Sequence, residues 1–137
     1  MKIEFTLPLE PVPKARPRLG AGRIYTSPKT ALFEGRVRRL SREAMNARGL
    51  KPTADPLTVT LTFIMPIPQS TSKAQRAELA RGMPHHKKPD LDNLIKAVLD
   101  GMNERVFKDD HQVWELNAKK IYGEEPSIIV KVETKKA

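Results

Sequence analysis

Lys87-Lys88-Pro89-Asp90-Leu91-Asp92-Asn93-Leu94-Ile95-Lys96 is the stretch on which the reading of this chain turns. Leu91, Leu94, Ile95, Val98, Leu99 and Met102 recur at helical spacing and form one apolar stripe. The spacing predicts a helix from about Leu91 to Asn103. Asp90 falls where an N-cap belongs, and Asp92 falls in the first turn. Asp92 and Lys96 lie one turn apart on a face that is not the apolar one. Such a helix is held to a core on one side and shows two acids and a lysine on the other. Capping alone favours acids at a helix start, and a cap is worth about 0.5–2 kcal/mol. A second acidic pair, Asp109-Asp110, at a turn downstream argues for more than capping, because the chain around both is strongly basic.

That basic balance is large. The 137 residues carry a formal net charge of +9, which points to a polyanionic partner, nucleic acid before anionic membrane. The length suits one domain, 1–137, with enough surface to bury for a core of its own. Cysteine is absent, which excludes disulfides and thiolate metal sites; any metal must be held by oxygen or by histidine. No apolar run approaches the roughly 20 residues that span a bilayer, and Glu4 interrupts the place of a signal peptide's apolar segment. A soluble, cytoplasmic protein is expected.

Outward from the acidic helix, the chain alternates between sheet-like and helical patterns. Ile3, Phe5, Leu7 and Leu9 predict a half-buried strand ended by prolines. Lys14 to Tyr25 follows as a basic, glycine-containing loop. Lys14, Arg16, Arg18 and Arg23 in it are candidate phosphate contacts, the alternative being a solvated surface loop. Ser27-Pro28 opens a helix with an apolar face at Phe33, Val37, Leu40 and Ala44, and Gly49 is placed to end it. Leu57, Val59, Leu61 and Phe63 alternate with threonines as the cleanest strand. Residues 66–88 read as a mobile basic insert with a short helix, ending in His85-His86-Lys87-Lys88; Lys87 and Lys88 are further candidate DNA contacts. His85 and His86 suit a ligand, a general base or a polar linker. Trp114, Leu116, Ala118 and Tyr122 share a phase that suggests core, and with Ile128, Val130 and Val132 they predict a closing hairpin around Gly123-Glu124-Glu125-Pro126. The expected order is strand-helix-strand-helix-strand-strand. This is an α+β domain with a mixed sheet and helices packed against it.

Asp90, Asp92 and Asp110 can converge if the chain after the acidic helix folds back on its mouth. Three carboxylates in one cleft repel one another, and a hard divalent cation relieves them. Mg²⁺ takes oxygen ligands and polarises a scissile phosphodiester, and Lys96 could reach a phosphate oxygen as a point charge. Asp100, one turn past Lys96, is placed to pair with it. A basic surface with one oxygen-only acidic patch suits a metal-dependent nuclease.

Lys88-Pro89-Asp90-Leu91-Asp92-Asn93-Leu94-Ile95-Lys96, with Asp109-Asp110 downstream, resembles the RusA family of Holliday-junction resolvases. The Arg16-Pro17-Arg18 … Tyr25-Thr26 stretch is similar to the N-terminal part of that family. The prolines and basic insert between Met65 and His86 depart from it. The resemblance implies a RusA-like fold and a homodimeric, Mg²⁺-dependent endodeoxyribonuclease that nicks four-way DNA junctions symmetrically. Mn²⁺ is the other ion to consider. By the same match Asp90, Asp92 and Asp110 are metal-site acids, Lys96 is catalytic or phosphate-binding, and a phage or prophage origin is implied. The competing expectations are a non-catalytic nucleic-acid-binding module, whose acids only cap a helix, and a metal-dependent nuclease without junction selectivity.

Overall fold

The computed structural model describes residues 1–15 and 27–135, together with the backbone of 18–20 and 23–25. Strands β1 (Lys2–Leu7), β4 (Leu57–Pro66), β5 (Val113–Gly123) and β6 (Ser127–Thr134) form a four-stranded mixed sheet in the order β1-β6-β4-β5. Between β1 and β4 lie a short antiparallel hairpin of β2 (Arg18–Gly20) and β3 (Arg23–Tyr25), then helix α1 (Pro28–Ala47). Helices α2 (Lys73–Leu79) and α3 (Leu91–Met102) and a 3-10 turn over Asp110–Gln112 separate β4 from β5. The mixed α+β architecture expected from the patterning is present. The expected basic loop contains the β2–β3 hairpin.

One face of the sheet makes the core. Leu57, Val59, Leu61, Phe63 and Met65 of β4 are buried, and Thr58, Thr60 and Thr62 between them are half-buried. Ile3, Phe5 and Leu7 of β1 and Ile128, Val130 and Val132 of β6 extend that apolar face on the far side of β4. α1 and α3 cover it with Phe33, Val37 and Met45 from one helix and Leu94, Ala97, Val98 and Met102 from the other. Each such side chain, fully buried, contributes roughly 1.5–3 kcal/mol. Gly101 lets the two helices close: a Cβ there would stand 2.6 Å from Val37 Cβ and 3.2 Å from the Glu34 carbonyl oxygen. Gly49, just past the end of α1, has φ +65, a conformation glycine adopts without strain.

Two expectations fail at the C-terminal strands. β5 and β6 do not pair with each other. β4 lies between them, parallel to β5 and antiparallel to β6. The short link from Gly123 to Ser127 crosses the end of β4, where Pro66 has already terminated that strand. Two strand spacings are about 10 Å, within the roughly 13 Å that four extended residues span. β5 is therefore an edge strand. Trp114 and Leu116, expected in the core by their phase, are 53% and 38% exposed. Phase places a side chain on a face of the sheet, but at an edge the covering layer runs out.

Candidate active site

α3 begins as the periodicity predicts, and its stripe is held by the core while Asp90, Asp92 and Lys96 stand exposed. Asp90 is the N-cap, with φ −67 and ψ 140, yet its side chain makes no capping hydrogen bond. In α1 and α2 the N-cap serines both cap: Ser27 accepts from the Thr30 amide and Ser72 from the Gln75 amide. Asp90 thus holds the cap position without capping, and its exposed carboxylate has no hydrogen-bond or ion-pair partner among the described residues.

Asp110 reaches this helix through Lys96. Lys96 Nζ lies 3.4 Å from Asp110 Oδ2 and 3.0 Å from Asp100 Oδ1. The hydrogen bond that Lys96 donates to Asp100 raises the Lys96 pKa, partial burial opposes it, and Asp110 adds to the rise. Asp109 leans the other way: its hydrogen bonding with Asp110 holds its carboxyl below the usual range, helped by His111 at 3.4 Å. Its backbone amide donates to Gln112 Oε1, and Gln112 Nε2 donates to the Thr53 and Asp55 carbonyls. The 3-10 turn that carries Asp110 is thereby anchored to the segment before β4. Among the described residues no three acidic or imidazole side chains stand close enough together to hold a metal ion as they are. The structure brings Asp110 to Lys96, one turn beyond Asp92, without closing the three acids into one ligand set.

Lys14, expected as a phosphate contact, has other partners. Its ammonium lies 2.5 Å from Glu34 of α1 and 3.1 Å from Asp100 of α3, with the side chain 23% exposed. Burial disfavours its charge, but the two carboxylates outweigh burial and raise its pKa. A charge ladder Glu34–Lys14–Asp100–Lys96–Asp110 runs from the first helix to the 3-10 turn. The backbone follows the same route. The Lys14 amide donates to the Asn93 carbonyl in the first turn of α3, and the Ala15 amide donates to Thr30 Oγ1 in α1. The root of the basic hairpin is thus stitched beside the acidic helix mouth. Arg16 lies outside the described residues, as do the side chains of Arg18 and Arg23.

Lys87 and Lys88 are exposed immediately before Asp90. Their loop is held by a residue not singled out from sequence: Lys120 Nζ donates to the carbonyls of Lys87 and Pro89, each at 2.7 Å. The signal was present, since Lys120 is the one charged residue in the Leu116, Ala118, Tyr122 phase of β5. The residues before the loop continue along the sheet edge. The His85 amide donates to the Lys120 carbonyl, and the Tyr122 amide donates to the Met83 carbonyl. The His85 ring packs on Tyr122 with centroids 4.8 Å apart, and its Nδ1 is buried without a partner among the described residues. His86 is exposed.

An acidic helix mouth with a charged lysine, on a basic chain, is chemically suited to phosphodiester work. The family model of "Endodeoxyribonuclease RusA" matches residues 8–133, so the chain belongs to the RusA family of endodeoxyribonucleases. It is also 33% identical over 138 residues to "Uncharacterized protein YqaN" of Bacillus subtilis (strain 168), covering 95% of this chain and 94% of that relative. Among the described residues no helix is long and apolar enough to cross a membrane.

Proposed function

We propose that this protein is a metal-dependent Holliday-junction resolvase, cutting four-way DNA junctions by paired symmetric nicks as a homodimer. The observation that carries the reading is the exposed Asp90 carboxylate at the α3 mouth, which makes no capping bond and stands beside Asp92, with Lys96 one turn on holding Asp110. The donor set fits Mg²⁺ chemically, with Mn²⁺ as the other candidate: three carboxylates, no thiolate, and an N-cap acid not consumed by its helix. Asp90, Asp92 and Asp110 would hold the ion. When bound it supplies a polarised phosphate and a water of lowered pKa. Lys96 is charged at neutral pH as an ordinary lysine is, and Asp100 and Asp110 hold its pKa higher still against partial burial. It offers that charge to a non-bridging phosphate oxygen, with Asp100 and Lys14 fixing its place. Lys87 and Lys88, with Arg16, Arg18 and Arg23 of the hairpin, would grip the DNA backbone and set its register. Paired cuts on a two-fold junction require two equivalent sites, which supports the homodimer. DNA recombination and repair, a cytoplasmic location and a prophage origin follow from the same reading.

The test is cleavage of a synthetic mobile junction, with and without Mg²⁺, against linear duplex at one salt concentration. Paired nicks that need Mg²⁺ and vanish in Asp90→Asn and Asp92→Asn, while junction binding survives, are expected. Equal cutting of linear duplex would remove the junction selectivity. Salt-sensitive binding with no cleavage in any metal would leave a binding module.

A further inference from the structure

The two edges of the sheet are treated differently. β1 is guarded, because the Glu4 carbonyl accepts from Arg48 at the end of α1. β5 is guarded only at its end, by the Met83–His85 segment on Lys120 and Tyr122. At its start, the Val113 amide is used by the Asp110 carbonyl. Those bonds also fix which groups face outward. The Lys120 carbonyl and the Tyr122 amide point away from β4, so by alternation the amides and carbonyls of Leu116 and Ala118 do too. At Trp114 a bulge against Leu57–Thr58 breaks the alternation, and the Lys135 ammonium sits 4.9 Å from its ring. Among the described residues no backbone group pairs with Leu116 or Ala118 across the open edge. Of the exposed large apolar side chains among the described residues, Leu32, Met83, Trp114 and Leu116, all but Leu32 lie along this edge. An exposed edge of this kind is a template for another strand.

We infer that a second copy of this chain docks here, β5 against β5, antiparallel about a two-fold axis at Asn117. The open window of Leu116 and Ala118 is symmetric about that residue, which is what an isologous contact needs. Leu116 then faces the small Ala118 of the second copy on each side, and Asn117 faces Asn117. Both outward residues form hydrogen-bonded pairs, and the two sheets become one of eight strands. Glu115 stands directly opposite Lys119 of the second copy, a favourable charge pair. Pairing stops where Met83–His85 already covers the edge, which fixes the register. Because Lys120 also holds the Lys87–Pro89 loop, this interface abuts the loop that leads into Asp90. The inference deepens the homodimer of the proposed function by giving it a surface.

The chain has no cysteine, so one introduced thiol reports its own neighbours. In this register the Asn117 Cα atoms stand on the order of 4.5 Å apart, within disulfide reach. Asn117→Cys is expected to form a covalent dimer on mild oxidation, and Leu32→Cys, on the exposed surface of α1, is not. Ala118→Pro removes one outward amide per copy without touching the β4 ladder. About 30-fold weaker self-association by sedimentation is expected from two lost hydrogen bonds. Asn117→Cys oxidising no faster than Leu32→Cys would overturn the inference. So would a dimer undiminished by Ala118→Pro, or a wild-type chain still monomeric at about 100 µM. These measurements contain no DNA. A chain that dimerises this way yet cuts no junction keeps the interface and loses the resolvase, and junction cutting by a dimer insensitive to Ala118→Pro does the reverse.

Discussion

Helices α1 and α3 start from nearly the same backbone: φ −60 and ψ 145 at Ser27, φ −67 and ψ 140 at Asp90. Ser27 spends its hydroxyl locally. It accepts from the Thr30 amide at 3.3 Å and donates to Thr30 Oγ1 at 2.9 Å. Asp90, as good a capping residue, makes no such bond. One helix start is engaged in holding the fold together. The other leaves its carboxylate pointing at solvent beside Asp92, on a surface where net charge is strongly positive. A local stabiliser left unused at one helix start and used at another separates a site from a scaffold.

The widest separation expected between them is between activity and stability. Asp90→Asn should lower Mg²⁺-dependent junction cleavage by about 10²–10³-fold. Its unfolding free energy from chemical denaturation should change by less than about 0.5 kcal/mol, since no partner among the described residues is lost. Ser27→Ala should do the opposite, costing about 1 kcal/mol of stability with cleavage unchanged. If Asp90→Asn destabilises the chain as much as Ser27→Ala and leaves cleavage intact, the two helix starts are alike and the site reading is lost.

The same contrast divides the lysines. Lys14 is enclosed between Glu34 and Asp100, while Lys87 is exposed. Lys14→Met strands two carboxylates in a partly buried place, between the surface and buried cases, and should cost about 2 kcal/mol. It should also lower cleavage, because Asp100 then has only Lys96 to hold. Lys87→Ala should leave stability alone, weaken junction binding uniformly across sequences and reduce the salt slope by about one ion. Measuring denaturation and salt-dependent binding on both variants checks the assignment. Equal effects on both quantities would erase the distinction between tether and contact.

Much of this was legible before any coordinates. α3 could be bounded to within a residue because its stripe is strongly periodic and Asp90 marks its start. β4 alternates cleanly because it has neighbours on both sides and a core beneath it along its length. The ladder through Lys14 was not legible, because its carboxylate partners lie on two different helices far along the chain. The failure at β5 has the same root. Alternation reports which residues share a face, and a short turn suggests a hairpin, but neither says that β4 will lie between the two strands. Trp114 and Leu116 read as core for that reason, and Lys120 went unnoticed although it interrupts an apolar phase.

The smallest expected effect concerns the loop that leads into Asp90. Burial, then the charge of Lys120, with His86 and Lys87 adding to it, holds the His85 imidazole below its ordinary pKa of 6.5. The folded chain therefore takes up this proton later on acidification than the unfolded chain does. In the interval below 6.5 the unfolded state binds more protons, so stability is present above that value and falls as pH drops through it. His85→Gln removes the titration and keeps a polar side chain in the same place. Denaturation midpoints compared between about pH 7.5 and 5.5 should fall more for wild type than for His85→Gln. An equal fall in both would mean that the fold does not hold the His85 imidazole neutral. The Met83–His85 segment would then be a loose flap on β5, and the acidic helix mouth would lose one of the supports that distinguish it from α1.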